Sequence, residues 1–395
     1  MSRAVFVAGV GTVPSVKRGA GESYPLLGAR AAKAALADAG IGYQAVEQVV
    51  AGFVYGDSCS GQAAVYHLGL TGIPVINVNN NCASGSTALY LARQAVAGGA
   101  AECVLALGFE QVQPGDGRTS HYTDRPAPVQ RQIDAMQLVQ GVDTDTAAAV
   151  QLFGGAGQMH TQLYGTRPAT FARIAVKARL HAQHRPQALF RDLLSLDEVQ
   201  ASPMLFDPLT RLQCCVPVCG AAAAVVCSAD FARRHGLEGA VCIAAQALVT
   251  DGNSSFDEHD MRKLVGFDMS RRAAQQVFAA AGVGPEDITV AEVHDSFTVS
   301  ELLAYEALGF AAEGGAEQFI LDGHNTYGGR VVVNPSGGML ANGHPYGAAG
   351  LAQCAELVQQ LRGRAGPGQV PDARFGLQHN LGIGGACVVT LYSRT

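Results

Sequence analysis

Tryptophan is absent from this 395-residue chain, and charged side chains make up only 15% of it. Lysine is nearly absent too: Lys17, Lys33, Lys177 and Lys263 stand against 23 arginines. Nowhere do the cations gather into a patch. With a net charge of −6, that excludes a surface built for phosphate backbones, and nucleic acid is not expected as a partner. No apolar run is long enough to cross a bilayer, and the opening MSRAVFVAGVGT reads as a first strand rather than a signal peptide. The final LYSRT is not the peroxisomal tripeptide. A cytoplasmic location is therefore the expectation. No Walker-type loop occurs, and GVGTVP is too short for a dinucleotide fingerprint.

What is present is a globular composition, 48% apolar with 48 glycines. A chain of this length buries enough surface to need neither disulfides nor structural metals. Its ten cysteines lie in apolar runs such as AECVLALG and AAAAVVCS, which suits free thiols in a reducing compartment. The CCVPVC cluster at 214–219 has no matching Cys/His pair nearby, so no metal site is expected.

Strands and helices alternate through the first part. AVFVAGVG (4–11) reads as a buried strand, LLGARAAKAALADAGI (26–41) as a helix ending at Gly40, and VEQVVAGFVYGD (46–57) as a strand. CASGSTALYLARQAVAGG follows as a helix, and AECVLALGFE (101–110) as the next strand. Continuous apolar strands separated by helices predict an α/β fold with a largely parallel sheet covered on both faces. From 111 to 212 the pattern gives way to an inserted layer rich in Arg, Gln, His and Pro, with short helices such as 170–184. Strand-like runs resume at 220–250, and the alternation restarts with a helix at 269–283 and a strand at 288–295. A helix at 300–309, a helix at 347–363 and strands at 374–380 and 385–392 complete it. In both parts a helix ending in Ala-Gly (39–40, 281–282) precedes a strand, which reads as an internal duplication. The expected boundaries are 1–110 for the first half, 111–212 for the insert, 213–255 for closing strands of the first half, and 256–395 for the second half.

Four segments carry residues suited to chemistry. Cys82 stands where the strand PVINV meets a helix, so the helix terminus would lower its thiol pKa; a buried structural cysteine is the plain alternative. HDSF (294–297) leaves a strand at its C-terminal end, where ligand sites of α/β sheets gather. There His294 and Asp295 either face a ligand, or Asp295 or Ser296 caps the next helix. In NPSGGMLANGHPYGAAG (334–350), His344 sits among glycines and alanines and faces open space or a ligand. In HNLGIGGACVV (379–389), Gly382, Gly384 and Gly385 form a turn that aims N–H groups at an oxyanion or serves a bulge.

Taken together, these segments resemble the thiolase superfamily, and within it the sterol carrier protein 2/X type. GDSCSGQAAVYHLGLTGIPVINVNNNCASGSTALY, HDSFTVSELLAYEALG, NPSGG, GHPYGAAGLAQCAELVQQLRG and LQHNLGIGGACVVTLY carry the likeness, which extends over nearly the whole chain. It implies a thiolase fold, five-layered αβαβα from two duplicated halves. The inserted loop domain would lie over a bound acyl-CoA, and a homodimer or homotetramer is implied. It implies Cys82 as the acyl-carrying nucleophile and His344 as the group that activates it and binds the thioester oxygen. His294 would stand with His344 in that first oxyanion hole, and the N–H groups of Cys82 and Gly384 in a second. Asn334, Gly338 and Tyr346 are the implied substrate contacts. No cofactor is implied beyond the coenzyme A thioester itself.

The chain departs from that pattern in the second thiol. Ordinary thiolases carry it in a CIGGG motif, where this chain has Gly382; the sterol carrier branch carries it in HDCF, where this chain has Ser296. A serine hydroxyl does not ionise near neutral pH, whereas a thiol has a reference pKa of about 8.5. Three readings follow. One is a thiolase cleaving 3-oxoacyl-CoA or running the reverse Claisen condensation. Another is a ketosynthase-like acyltransferase working without the second thiol, and the third is a non-catalytic acyl-CoA or lipid-binding protein.

Overall fold

The structure, a computed structural model, describes residues 3–113 and 124–394. Its strands are β1 (Val5–Lys17), β2 (Gln48–Gly52), β3 (Val75–Val78), β4 (Cys103–Glu110), β5 (Met204–Phe206), β6 (Leu209–Thr210), β7 (Val218–Ser228), β8 (Val241–Val249), β9 (Val290–Glu292), β10 (Val332–Val333), β11 (Phe375–Gly382) and β12 (Ala386–Ser393). Apart from the small β5–β6 pair, they join in the order β10-β9-β11-β12-β8-β1-β7-β4-β2-β3.

That order holds one arrangement twice. Numbering the strands within each half, both β3-β2-β4-β7-β1 and β10-β9-β11-β12-β8 read third, second, fourth, fifth, first. The halves touch where Phe6 and Val7 of β1 pair with Cys242 and Val241 of β8. The expected duplication is present, with one shift of boundary. β8 pairs with β12 and stands in the second half where β1 stands in the first, so the 213–255 segment does not all close the first half.

The sheet is mixed rather than largely parallel. β2, β3 and β4 run parallel, as do β9, β10 and β11, but β7 opposes both β1 and β4, and β12 opposes both β8 and β11. The reason is connection length. Only residues 383–385 separate β11 from β12, and a turn that short joins antiparallel strands, because a parallel crossover needs a dozen residues or more.

Between the halves lie the helices Ser84–Ala97 and Ala349–Leu361. Leu89, Ala92 and Val96 of the first and Leu351, Leu357 and Val358 of the second share a core with Val50, Val104 and Ala224 of one half and Val290 and Tyr392 of the other. Helix Tyr24–Ala39 covers the far face of the first half, and helices Phe267–Ala281 and Thr298–Ala307 cover that of the second. The layers are therefore helix, sheet, helix, sheet, helix. Helices end where the sequence placed their stops: Gly40 and Gly282 both adopt left-handed backbone, which a residue without Cβ accepts at no steric cost.

The inserted segment is more helical than expected. It contains helices Gln130–Gln140, Ala148–Tyr164, Pro168–Ala182 and Leu196–Ala201. The third docks on the second half: Lys177 pairs with Glu301 and donates to the carbonyl of Val333 at 2.8 Å, while Nδ1 of His181 meets the carbonyl of Asn334 at 2.9 Å. Residues 114–123 of the segment lie outside the described part.

Candidate active site

Cys82 closes a tight turn between β3 and the central helix Ser84–Ala97. Asn81 takes left-handed backbone (φ 51°), a conformation Asn tolerates better than most residues. Hydrogen bonds lock the turn. The Ser84 hydroxyl donates to the Asn81 carbonyl at 2.6 Å and accepts the Asn80 N–H at 2.9 Å, and the Asn81 amide donates to the Ile383 carbonyl at 3.0 Å. Cys82 is 7% exposed, and its sulfur donates to Asn81 Oδ1 at 3.5 Å.

The expected depression of the Cys82 pKa is not what the resting site gives. Burial, with the Glu110 carboxylate adding to it, pushes the thiol up to about 12. Desolvation of the thiolate outweighs the helix terminus. Glu110 was not singled out in the sequence. Ending β4 and buried, it accepts the N–H groups of Val54 (3.1 Å), Tyr55 (3.0 Å) and Gly347 (2.9 Å). A carboxylate that closes a fully apolar strand, as in AECVLALGFE, was the signal available.

His344 comes from the second half and is 1% exposed. Its backbone lies beside the segment Cys215–Val218: His344 N–H donates to the Val216 carbonyl at 2.8 Å, and Val218 N–H donates to the His344 carbonyl at 3.3 Å. Its ring stands edge-on to that of His294, centroids 5.2 Å apart, and to that of Tyr346, 4.7 Å apart. Tyr346 also packs on Tyr55, and its hydroxyl pKa is raised by burial and by the proximity of Cys82 and Cys215. Burial lowers the His344 pKa to about 3, and lowers that of His294 well below the usual range, helped by His344 and His379. The site thus rests with neutral thiol and neutral imidazoles.

His294 is held by a second buried row that sequence reading passed over. Nδ1 of His294 meets the Asn380 amide nitrogen at 3.1 Å, and the Ser86 hydroxyl donates to Asn380 Oδ1 at 2.9 Å. Gln378 donates to the Ser86 hydroxyl at 2.9 Å. The imidazole of one half is tied in this way to the central helix that begins beside Cys82. His294 also lines a small cavity of about 20 Å³ with Gly382, Ile383, Gly384 and Gly385.

Neither Asp295 nor Ser296 caps the helix that follows them. Phe297 stands at that position, its N–H donating to the Ser300 hydroxyl. Asp295 caps a different helix, Gly338–Asn342, accepting the N–H of Met339 at 2.7 Å and of Leu340 at 3.3 Å. Gly338 is required there: a Cβ on it would lie 1.9 Å from an Asp295 oxygen, and its φ is 63°. That close approach accounts for a glycine at this position. Asn334 is likewise committed inward. Its Oδ1 accepts the Val293 N–H at 2.7 Å and its amide donates to Glu301 at 2.9 Å. With both ends of its side chain engaged and the residue fully buried, Asn334 positions the strand end before His294. Ser296 is buried, and its carbonyl accepts the Cys215 N–H at 2.9 Å. Gly384 is exposed in the β11–β12 turn (φ 103°), while Gly382 makes the close contact with the Cys82 turn.

The three cysteines of CCVPVC point to three places. Cys214 donates to the Thr210 carbonyl, Cys219 to the Val112 carbonyl, and Cys215 meets His344. They do not converge on one ion.

A doubled five-strand unit around two central helices, with a cysteine heading the first and paired histidines brought from the other half, defines the thiolase fold. The family models agree. "Thiolase, N-terminal domain" matches residues 7–229 and "Thiolase C-terminal domain-like" matches 251–393. Sterol carrier protein 2 of Homo sapiens is 53% identical over 394 residues, covering 99% of this chain and 72% of that protein. Benzoylsuccinyl-CoA thiolase subunit BbsB of Thauera aromatica is 34% identical over 388 residues, covering 97% and 96%. Among solved structures, an Ltp2-ChsH2(DUF35) aldolase superposes with a TM-score of 0.83 at 27% identity, covering 99% of this chain and 98% of that one. Human mitochondrial 3-ketoacyl-CoA thiolase superposes at 0.74 with 18% identity over 100% and 99%, a likeness of fold alone. The chain belongs to the thiolase family, and within it groups with the sterol carrier protein 2 relatives.

Proposed function

We propose that this protein is an acyl-CoA-dependent acyltransferase that carries its acyl group on Cys82 and cleaves 3-oxoacyl-CoA by thiolysis or runs the reverse condensation. The observation that supports the reading is the buried Cys82 turn at the head of a central helix, with Tyr346, whose hydroxyl Cys82 perturbs, lying edge-on to the His344 ring that in turn meets His294. In acyl transfer, the sulfur of Cys82 attacks the acyl carbon and the developing oxyanion needs donors. His344 and His294 supply one set, and the backbone at Cys82 and Gly384 supplies the second. Coenzyme A enters as part of the substrate, with no other cofactor. Tyr346, tilted against Tyr55 and edge-on to His344, would limit the width of the acyl group.

A homodimer or homotetramer belongs to the same proposal. β3 is the terminal strand of the sheet, with Ile76 42% exposed, and an open edge of this kind invites a second chain. Among the described residues no helix is long and apolar enough to cross a membrane. Ten free cysteines suit a reducing compartment such as the cytoplasm.

The test is intact-protein mass spectrometry after mixing with a panel of acyl-CoAs. Native protein should gain one acyl mass, and Cys82→Ala should gain none while keeping its circular dichroism. Acylation that persists in the variant, or maps to Cys214 or Cys387, refutes the assignment. A native protein that takes no acyl group but cleaves a carbon–carbon bond would instead favour aldolase chemistry, as in the name of its structural neighbour.

A further inference from the structure

Cys215 is a nucleophilic side chain that the reading above leaves without a task, and its surroundings are specific. Its N–H donates to the Ser296 carbonyl at 2.9 Å, and the neighbouring Cys214 bridges Phe297, so this segment runs alongside His294-Asp295-Ser296-Phe297. The next residues, Val216 to Val218, bridge His344 through both of its backbone polar groups. Cys215 therefore lies where the two histidine-bearing segments are stitched together. Its Sγ rests 3.6 Å from Nδ1 of His344, within hydrogen-bonding range for sulfur. An independent observation concerns the other ring nitrogen: Nε2 of His344 is buried and has no hydrogen-bond partner among the described residues. A buried ring nitrogen without a partner is costly to leave unpaired, and is retained where a ligand satisfies it.

We propose that Cys215 is a positioning residue: its S–H donates to Nδ1 of His344, fixing the imidazole as the Nε2–H tautomer and leaving that N–H to donate to the substrate oxyanion and the Cys82 thiolate. A neutral imidazole has one donor and one acceptor nitrogen, so the partner of one decides the role of the other. A thiol that keeps its proton can be the donor of this pair. Burial pushes the Cys215 thiol well up and the His344 imidazole down to about 3, so proton transfer between them to give an ion pair is disfavoured. The inference about catalysis rests on the acyl-enzyme reading; the tautomer assignment does not. In the acylation step, the Cys82 sulfur bonds the thioester carbon and the carbon–sulfur bond to coenzyme A breaks. The proton of Cys82 leaves on the coenzyme A sulfur as free thiol. His344 stays neutral throughout, its Nε2–H donating to the oxygen on which negative charge develops.

The experiment is nitrogen NMR of the full chain labelled with ¹⁵N-histidine, the His344 signals being assigned by their loss in His344→Gln. Native protein should show a protonated Nε2 and a lone-pair Nδ1. Cys215→Ser, which keeps a donor, should retain that pattern; Cys215→Ala should move it toward the Nδ1–H form. Single-turnover acylation should fall roughly fivefold in Cys215→Ala, the loss expected for one hydrogen bond of about 1 kcal/mol, at unchanged half-saturation, and recover most of that in Cys215→Ser. A native Nδ1–H tautomer, or one unchanged in Cys215→Ala, overturns the proposal whatever the acylation rate. Should Cys215→Ala not fold, the native spectrum and that of Cys215→Ser still decide. Absence of acylation by any acyl-CoA, with the expected tautomer present, would count against the acyltransferase reading and leave the Cys215 assignment standing.

Discussion

A Cβ placed on Gly382 would lie 2.1 Å from the backbone oxygen of Asn80 and 3.2 Å from the backbone nitrogen of Ala83. The position that holds the second thiol in ordinary thiolases is thus pressed against the turn that presents Cys82. A backbone oxygen cannot yield as the end of a flexible side chain can. Gly382→Ala should destabilise the protein by about 1–3 kcal/mol, the usual cost of overpacking, and lower the acylation rate by tenfold or more by displacing Asn80 to Ala83. Urea unfolding and the acyl mass shift measure the two effects. A variant as stable and as readily acylated as native would show that the turn has room to move.

His344→Ala should slow iodoacetamide labelling of Cys82 at neutral pH. The resting thiol is pushed up by burial, so its reactivity depends on groups that favour the thiolate when it forms. A hydrogen bond to a charged group contributes about 1.5–3 kcal/mol, so the loss should be roughly 10- to 100-fold. Unchanged labelling kinetics, read by peptide mass spectrometry at Cys82, would assign activation to the helix terminus alone.

Alkaline pH should destabilise the fold. Burial pushes Cys82, Cys354 and Cys387 up to about 12, from the ordinary thiol value of about 8.5. Below the unfolded value both states hold the protons and stability is flat. Between about pH 9 and 12 the unfolded chain loses protons that the folded chain keeps, so stability falls, by at most about 1.4 kcal/mol per pH unit for each thiol. Buried Tyr305 and Tyr392, whose hydroxyls are also raised well up, add to the slope at its upper end. Melting temperatures from pH 7 to 11 should drop past pH 9, and less steeply in Cys354→Ala than in native protein. Parallel curves would refute the contribution of that thiol.

Ser296→Cys should raise thiolysis of a 3-oxoacyl-CoA by tenfold or more, with acylation of Cys82 within a few-fold of native. A proton-transfer group contributes about 10²–10⁴-fold to such a step, and Ser296 offers a hydroxyl that does not ionise where the related branch offers a thiol. The serine is already buried beside Cys215, so sulfur for oxygen is a small change in volume. Fast native thiolysis, unimproved by the substitution, would mean that another base serves the carbon–carbon step.

The features legible in the sequence were those set by a few consecutive residues. Helix ends at Gly40 and Gly282, the strand-to-helix turn at Cys82, and the repeated order of elements all follow from local backbone preference and apolar periodicity. The site was legible as four separate segments; the structure sets the His294 and His344 rings against each other and Tyr346 against His344. What the chain could not disclose locally was pairing across distance. β8 looks like a closing strand of the first half, because nothing in its own residues says that its partner is β12, some 140 positions on. Asn334, an implied substrate contact in the sequence, has both ends of its amide taken by Val293 and Glu301. Cys215 carries no local signal at all; only the packing of three distant segments sets its sulfur on His344. The same packing removes water from Cys82 and reverses the pKa shift that its helix terminus alone would give. Periodicity fixes which face of an element is apolar, but dielectric and hydrogen-bond partners belong to the assembled interior, where burial and close approach are decided.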